Sequence, residues 1–282
     1  MIDYIKFLIL AIFSGIIAPL PLSSSAQFSF MNSVLNFSQD GKTLGFYYSV
    51  FMIMFSVAIF FRLRKIYLSI FKSCLKKEKN ANQRAYKKRL KNILLSVLPS
   101  AVLFIPVDEN TLLCDYADRL LTPDSLFVVS VASILCGLYI VVSIWYTRQR
   151  NGKRKRATET KDAMRMSIYN LVAHMIPGLS KVSFSSTNLL ICDVDHRVIA
   201  REIYLYLGPQ LFVYNIVRII RALISGFVID PILLAIAVVA VFLCSMLIVS
   251  LIAKVNIRKL FAFFSVYSIV FGVVVGVFTF IL

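Results

Sequence analysis

Apolar residues in this chain form long, nearly uncharged stretches, without the alternation that marks half-buried strands. Eight such stretches cover residues 5–35, 44–61, 92–107, 125–146, 167–192, 203–229, 231–253 and 260–282. Most are close to the roughly 20 residues with which an α-helix crosses about 30 Å of hydrocarbon. The pattern predicts an all-α polytopic membrane protein, because a spanning β-barrel would show short segments of alternating hydrophobicity.

Two of the eight stretches are interrupted by proline and small polar residues. The first contains Pro19, Pro21 and three consecutive serines, and the fifth contains Pro177, Gly178 and several serines. Irregular backbone at membrane depth is tolerated only where it is buried in protein or lines a wet cavity. We therefore expect two re-entrant helix–turn–helix segments and six transmembrane helices.

Charged residues are concentrated between the apolar stretches. Residues 62–91 hold twelve Lys or Arg and one acid, residues 147–166 hold eight and two, and residues 108–124 hold five acids and one Arg. Since cytoplasmic loops are enriched in Lys and Arg, the two basic loops and a third near Lys254 are predicted to be cytoplasmic. The net charge of +17 then reflects orientation in a bilayer, and we expect no nucleic-acid partner. Residues 74–91 also fit a basic helix lying on anionic lipid.

Three predicted spans follow each interrupted stretch, which divides the chain into residues 1–155 and 156–282. An odd number of spans per half inverts the second half relative to the first, so the tips of the two re-entrant segments are expected to meet near the midplane. Broken helices that meet at the midplane of an inverted repeat form the substrate site of many transporters. Helix N-termini at such a point favour an anion.

A cleaved signal peptide is the alternative interpretation of the first stretch. Lys6, the apolar run 7–20 and the small residues 24–26 resemble its three regions. Asp3 ahead of the single lysine, and the second interrupted stretch left without a counterpart, favour the re-entrant segment. The five cysteines are scattered without ligand spacing, so neither disulfides nor a metal cluster are expected.

Three segments carry a resemblance to a known family. They are LILAIFSGIIAPLPLSSSAQF, NILLSVLPSAVLFIP and IPGLSKVSFSST, in that order, with Pro209 and Tyr267 at positions where the family often has proline and tyrosine. Together they resemble the bacterial undecaprenyl pyrophosphate phosphatases, also called bacitracin-resistance proteins. The resemblance covers essentially the whole chain and implies a substrate of undecaprenyl diphosphate in a bacterial cytoplasmic membrane.

The chain departs from this family where the family's chemistry resides. By the resemblance, two catalytic carboxylates correspond to Ser14 and Ala18, a histidine corresponds to Gln27, and an arginine corresponds to Lys181. Hydrolysis of a diphosphate needs neutralised phosphoryl oxygens and an activated nucleophile, usually with a metal ion held by carboxylates. Ser24 as nucleophile and Lys181 as cation supply only half of that mechanism.

Binding a phosphate needs only N–H groups, hydroxyls and a cation. The candidates for phosphate binding are Ser23, Ser24, Ser25, Gln27, Ser180, Lys181 and Ser183. The alternative for each serine is a structural role, satisfying broken backbone or packing between close helices. Lys181 is the stronger candidate because an ionisable residue at membrane depth is costly and usually functional, although its side chain could instead extend to the interface.

Other polar residues have two interpretations each. His174, Arg218 and Arg221 could assist phosphate binding, but packing explains His174 and an ion pair with Asp230 explains the arginines equally well. A third group, Asp193, Asp195 and His196, resembles a metal trio. Its position beside basic residues favours a solvated ion-pair turn, and the same applies to Glu202.

We therefore predict a site that recognises undecaprenyl (polyprenyl) phosphate or diphosphate, in a lipid-carrier translocator or binding protein that has lost hydrolytic chemistry. The alternative is a divergent undecaprenyl-diphosphate phosphatase in which Ser24 is catalytic. Binding alone requires no cofactor, whereas the phosphatase alternative would use magnesium or calcium.

Overall fold

The computed structural model describes residues 2–38, 40–75, 81–108, 111–148, 154–155, 157–228, 230–252 and 257–281. Nearly all of them are helical, and the helices are α1 (Ile2–Ile17), α2 (Ser24–Leu35), α3 (Gly41–Arg62), α4 (Arg64–Leu75), α5 (Ala81–Val97), α6 (Leu113–Arg119), α7 (Leu126–Arg148), α8 (Thr160–Met175), α9 (Lys181–Ile191), α10 (His196–Ile224), α11 (Pro231–Ile252) and α12 (Ile257–Ile281). A short antiparallel pair, β1 (Pro106–Asp108) and β2 (Thr111–Leu112), precedes α6. The all-α prediction is confirmed.

Five helices, α3, α7, α10, α11 and α12, are long and apolar enough to cross a membrane. They coincide with five of the six predicted spans. The sixth, residues 92–107, is not one continuous α-helix, and this prediction is corrected. The α-helix ends at Val97 and a 3₁₀ segment, Leu98–Phe104, follows with Pro99 in its first turn. Proline lacks the N–H that would extend the α-helical ladder, which explains the change.

The two interrupted stretches form helix–break–helix pairs, as predicted. Residues 18–23 separate α1 from α2, and residues 176–180 separate α8 from α9. Each second helix begins at a serine cap: Ser23 Oγ accepts a hydrogen bond from the Ala26 N–H, and Ser180 Oγ accepts one from the Ser183 N–H. Such caps satisfy helix-terminal N–H groups that have no partner within the helix.

The central helix is α3, which is largely buried and packs against α10 on one side and α11 on another. Helix α1 packs against α11, and α8 packs against both α9 and α5. Helices α7 and α12 pack tightly together. There Gly137 lies against the backbone of α12 and Gly272 against the backbone of α7, an example of the small residues that allow close approach of membrane helices.

Helix α10 contains Pro209, which cannot donate to the carbonyl four residues earlier, that of Leu205. The Tyr67 hydroxyl, on α4, donates a hydrogen bond to this carbonyl at 3.0 Å. Gly208 lies directly against the same hydroxyl and against Ile59 of α3. A residue outside α10 thus supplies the hydrogen bond that its proline removes.

The predicted basic surface helix in residues 74–91 is described only in part. The chain is helical in α4 and again from Ala81, while residues 76–80 lie outside the described residues, as does Lys254 in the third basic loop. Helix α4 has one fully buried residue, Ile70, and a mainly exposed opposite face.

Candidate functional site

The two breaks touch each other inside the protein. Ser23 Oγ accepts a hydrogen bond from the Gly178 N–H at 3.0 Å, and Ser183 Oγ donates to the Pro21 carbonyl at 2.6 Å. All four residues are buried. Ser23 and Ser183 were predicted as phosphate ligands, and the structure gives each of them a hydrogen bond that joins the breaks.

Lys181 is the first residue of α9 and is buried, with 6% of its surface exposed. Its ammonium donates a hydrogen bond to the Tyr48 hydroxyl at 3.1 Å and lies 5.4 Å from the centroid of the Tyr48 ring. The Tyr48 hydroxyl is in turn 2.9 Å from Ser24 Oγ. These contacts join α9, α3 and α2 in a continuous hydrogen-bonded chain.

No ion pair joins Lys181 to a carboxylate among the described residues. The side chain is buried and turned toward Tyr48 of α3, which favours the site over the alternative in which it extends to the interface. A buried ammonium without an acidic partner is energetically unfavourable. It is the kind of group that a bound anion would stabilise.

A narrow, tightly closed cleft lies beside Ser24 and Lys181. Its remaining walls are formed by Ala18, Leu22, Met52, Phe55, Val182, Leu207 and Leu211. A second, mainly apolar cleft lies against Pro19, Pro21 and Tyr204. Val182 lines both clefts, so the two clefts are neighbours. The first cleft offers polar groups at one end and apolar walls along the rest.

The other predicted ligands lie around this junction with partners of their own. Ser25 Oγ is 3.3 Å from Ser23 Oγ, and Ser180 Oγ caps α9. Gln27 Nε2 donates to the Tyr267 hydroxyl of α12 at 3.2 Å. The structure thus brings Ser24 and Lys181 together at the first cleft and gives the remaining candidates structural hydrogen bonds.

Arg218 and Arg221 form ion pairs with acids other than the predicted Asp230. Arg218 forms an ion pair with Asp118, and Arg221 forms one with Asp115 at 3.2 Å, both on α6. Asp230, the predicted partner, accepts a hydrogen bond from the Tyr4 hydroxyl instead. The Asp118 carboxylate also lies directly against Gly45 of α3. Helix α6 therefore bridges α3 and α10, the two helices that wall the first cleft.

His174 is a packed residue, in agreement with the structural interpretation. Its Nδ1 lies 2.6 Å from the Asn170 carbonyl, and its ring makes an edge contact with Tyr214 at 4.7 Å between centroids. Nε2 has no hydrogen-bond partner among the described residues. Since Nδ1 faces a carbonyl, it carries the proton and Nε2 has the free lone pair.

The acidic residues at the start of α10 have structural roles. Asp195 caps the helix by accepting from the Arg197 N–H at 3.0 Å, which lowers the pKa of its carboxyl. Among the described residues, no three His, Cys, Asp or Glu side chains are grouped for a metal ion. Glu202 is fully buried, and the prediction of a solvated turn is wrong for it. Its carboxylate accepts from Thr158 and pairs with Arg89 and Arg201.

Tyr48 is the site residue that sequence reasoning missed. The available signal was a polar hydroxyl within the apolar stretch 44–61, one helical turn before Met52. Because α3 has two adjacent tyrosines, the sequence did not indicate which one faces the broken helices. Tyr47 faces the aromatic rings of Phe7, Phe37 and Phe46 instead.

Comparison with known proteins agrees with the family resemblance of the three sequence segments. Residues 7–274 match the family model described as bacitracin resistance protein BacA. The chain is 24% identical to the undecaprenyl-diphosphatase of Lactobacillus delbrueckii subsp. bulgaricus, with 98% of both chains covered. It is 26% identical to undecaprenyl-diphosphatase 1 of Pseudoalteromonas translucida, with 95% of this chain and 96% of the relative covered. It is 30% identical to the undecaprenyl-diphosphatase of Leptospira interrogans, a match that spans only 56% of each chain.

Proposed function

The chain belongs to the bacitracin resistance protein BacA family, and from this premise we propose that it recognises the head group of undecaprenyl phosphate or diphosphate in the first cleft. The observation that carries the proposal is the buried Lys181 ammonium, which has a neutral hydroxyl as its hydrogen-bond acceptor and no carboxylate partner among the described residues. A phosphate would supply the missing negative charge. The N-termini of α2 and α9 add positive dipole ends at the same place.

The shape of the cleft suits a lipid with a charged end. Its polar groups lie at Ser24 and Lys181, and apolar side chains such as Phe55 and Leu211 form the other walls. As it stands the cleft has no room even for a water molecule, whereas ordinary ligand pockets start at roughly 300 Å³. The cleft therefore has to widen when the head group enters, and α3 and α10 are the walls that would separate.

Hydrolysis by the route that the family resemblance implies lacks its carboxylates. Ala18 lines the cleft where the resemblance expects an acid, and no acidic side chain among the described residues lies on the cleft wall. Gln27, at the histidine position, cannot exchange a proton near neutral pH as histidine does. We therefore propose binding without hydrolysis, in a translocator or a carrier-lipid binding protein.

Two features support a translocator. First, α1 packs on α11 as α8 packs on α5, and α3 packs on α11 as α10 packs on α5. These pairings are what an inverted repeat of residues 1–155 and 156–282 would produce. Second, the two clefts share Val182 and contact α10 about one to two turns apart. An anion site with a second cleft beside it along the same broken helices is suited to alternating access.

The proposed setting is a bacterial cytoplasmic membrane with the basic loops on the cytoplasmic side. The acidic segment that contains α6 then faces outward. This orientation adds to the five long apolar helices a sixth crossing between α3 and α7, which α5 and the 3₁₀ segment after it would make. The basic loops then all lie on one side of the membrane.

The second candidate is an undecaprenyl-diphosphate phosphatase, the activity named for the relatives. The observation in its favour is that Ser24, the candidate nucleophile, lies 2.9 Å from the Tyr48 hydroxyl that contacts Lys181. The Tyr48 hydroxyl thus gives a path for proton transfer between Ser24 and Lys181. The phosphatase hypothesis requires that the protein release inorganic phosphate from its substrate.

The test combines binding and turnover on purified protein. Binding of undecaprenyl phosphate in detergent micelles and phosphate release from undecaprenyl diphosphate are measured with and without magnesium or calcium. Lys181→Ala is compared with Lys161→Ala, a lysine exposed on α8. We expect Lys181→Ala to weaken binding by about 10-fold or more, Lys161→Ala to leave binding unchanged, and no phosphate release. Release that depends on Lys181 would instead support the phosphatase, and binding that is unchanged in Lys181→Ala would refute the proposed site.

A further inference from the structure

Tyr48 lies at the meeting point of the two candidate anion-binding side chains. It is 5% exposed and stands on the face of α3 that lines the first cleft, one turn before Met52 and two turns before Phe55. Its hydroxyl contacts Lys181 Nζ at 3.1 Å and Ser24 Oγ at 2.9 Å. Tyr48 thus connects α3 to both α2 and α9, the helices that follow the two breaks.

The direction of these hydrogen bonds follows from the chemistry of the donors. An ammonium can only donate, so the Tyr48 oxygen accepts from Lys181. A phenol has a single hydrogen, which is then directed to the acceptor that remains, Ser24 Oγ. With Ser24 Oγ accepting, the hydrogen of Ser24 is free to turn elsewhere, and its described alternative partner is the weak acceptor Met52 Sδ at 3.9 Å.

This arrangement has two consequences for a ligand in the cleft. Lys181 is held in place by a neutral group, so its charge is not cancelled as it would be by a carboxylate. Ser24 is held as a hydrogen-bond donor toward the cleft. Both side chains therefore offer donors only, which matches a terminal phosphate group, whose oxygens are acceptors.

We propose that Tyr48 is the positioning residue of the anion site: it fixes the Lys181 ammonium and orients Ser24 as a donor, so that the cleft selects a phosphate or diphosphate monoester. This inference rests on the proposed function and adds the residue that organises its site. It also assigns Ser24 to binding, because an oxygen that accepts a hydrogen bond from a phenol polarised by an ammonium is a weaker nucleophile.

Tyr48→Phe removes the hydroxyl and keeps the ring, and Tyr47→Phe is the matched control. Tyr47 is adjacent on α3 and equally buried, but faces the ring of Phe7 away from the cleft. Affinity for undecaprenyl phosphate is measured in detergent micelles, with inorganic diphosphate as a competitor to separate head-group from tail recognition. Thermal unfolding of both variants is measured in parallel to confirm that they are folded.

We expect Tyr48→Phe to weaken binding by about 10-fold or more, as is typical of hydrogen bonds to charged groups, and Tyr47→Phe to change it by less than about twofold. A double-mutant cycle then separates positioning from a general structural effect. In the Lys181→Ala background, Tyr48→Phe is expected to cost less than about twofold, since the group that it positions is gone.

The possible failures are distinguishable. Binding that is lost in Lys181→Ala but retained in Tyr48→Phe would overturn this inference and leave the proposed function intact. Full additivity of the two losses would overturn it as well, because Tyr48 would then act independently of Lys181. Wild-type protein that does not bind the lipid would overturn both. If Tyr48→Phe does not fold, Ser24→Ala provides the test. The inference predicts that Ser24→Ala weakens binding of the lipid, and an unchanged affinity would contradict the inference.

Discussion

Replacing Gly178 with alanine should destabilise the protein through two separate physical effects. Gly178 has φ +113°, where an L-residue is strained, and placing one there costs about 1–2 kcal/mol. An added Cβ would also lie only 2.9 Å from the Val129 carbonyl oxygen and 3.0 Å from the Ser133 nitrogen, both on α7. Such overpacking costs about 1–3 kcal/mol more. The expected total loss of unfolding free energy is therefore about 2–5 kcal/mol.

Gly226 provides the matched control. It also has a positive φ, +79°, but an added Cβ there would meet nothing within 4 Å. Gly226→Ala should therefore show only the backbone strain of about 1–2 kcal/mol. Reversible unfolding of both variants in mixed micelles, followed by circular dichroism, gives the two free energies. If Gly178→Ala is no more destabilising than Gly226→Ala, the second break is not packed against α7 in the way described.

Three further outcomes are expected. Gly272→Ala should lower stability by about 1–3 kcal/mol in the same unfolding assay, because its Cβ would lie 2.7 Å from the Ser130 carbonyl oxygen of α7; an unchanged stability would contradict the close α7–α12 contact. Asp118→Asn should destabilise more than Asp115→Asn, since the pair that Asp118 makes is the more buried of the two, and equal thermal midpoints would contradict this. Hydrogen bonds from Thr43 lower the pKa of the Asp40 carboxyl, so its stabilisation is present above the unfolded pKa of about 3.9 and is lost as pH falls through the folded value. Asp40→Asn, which keeps a capping side chain, should reduce this acid dependence of the unfolding midpoint, and an identical pH profile would refute the assignment.

Local sequence signals were sufficient for the architecture. Prolines and serines within apolar stretches identified both breaks, because proline removes helical hydrogen bonds and serine satisfies the exposed N–H groups at the restart. Continuous apolar length identified five spans. The same reasoning failed for residues 92–107. Their continuous apolar character predicts one span, but Pro99 ends the α-helix there as the prolines do in the two breaks.

Contacts between distant parts of the chain were not available from local signals. Tyr48 and Lys181 are 133 positions apart, and Arg218 and Asp118 are 100 apart. Charge alone suggested Asp230 as a partner for the arginines, because it is near in sequence. The fold instead brings α6 between α3 and α10, where Gly45 of α3 leaves room for the Asp118 carboxylate.

The hydrogen bond from Tyr67 to Leu205 has a consequence for how the protein would respond to its membrane. Pro209 is the natural bending point of α10, and the residues two positions to either side of it, Leu207 and Leu211, both line the first cleft. Tyr67 belongs to α4, a short basic helix with one buried face. A force that shifts α4, such as attraction to an anionic leaflet, would therefore reach the bending point through one hydroxyl group. Tyr67→Phe removes that link, and we expect it to make lipid-phosphate affinity in vesicles less dependent on their anionic content.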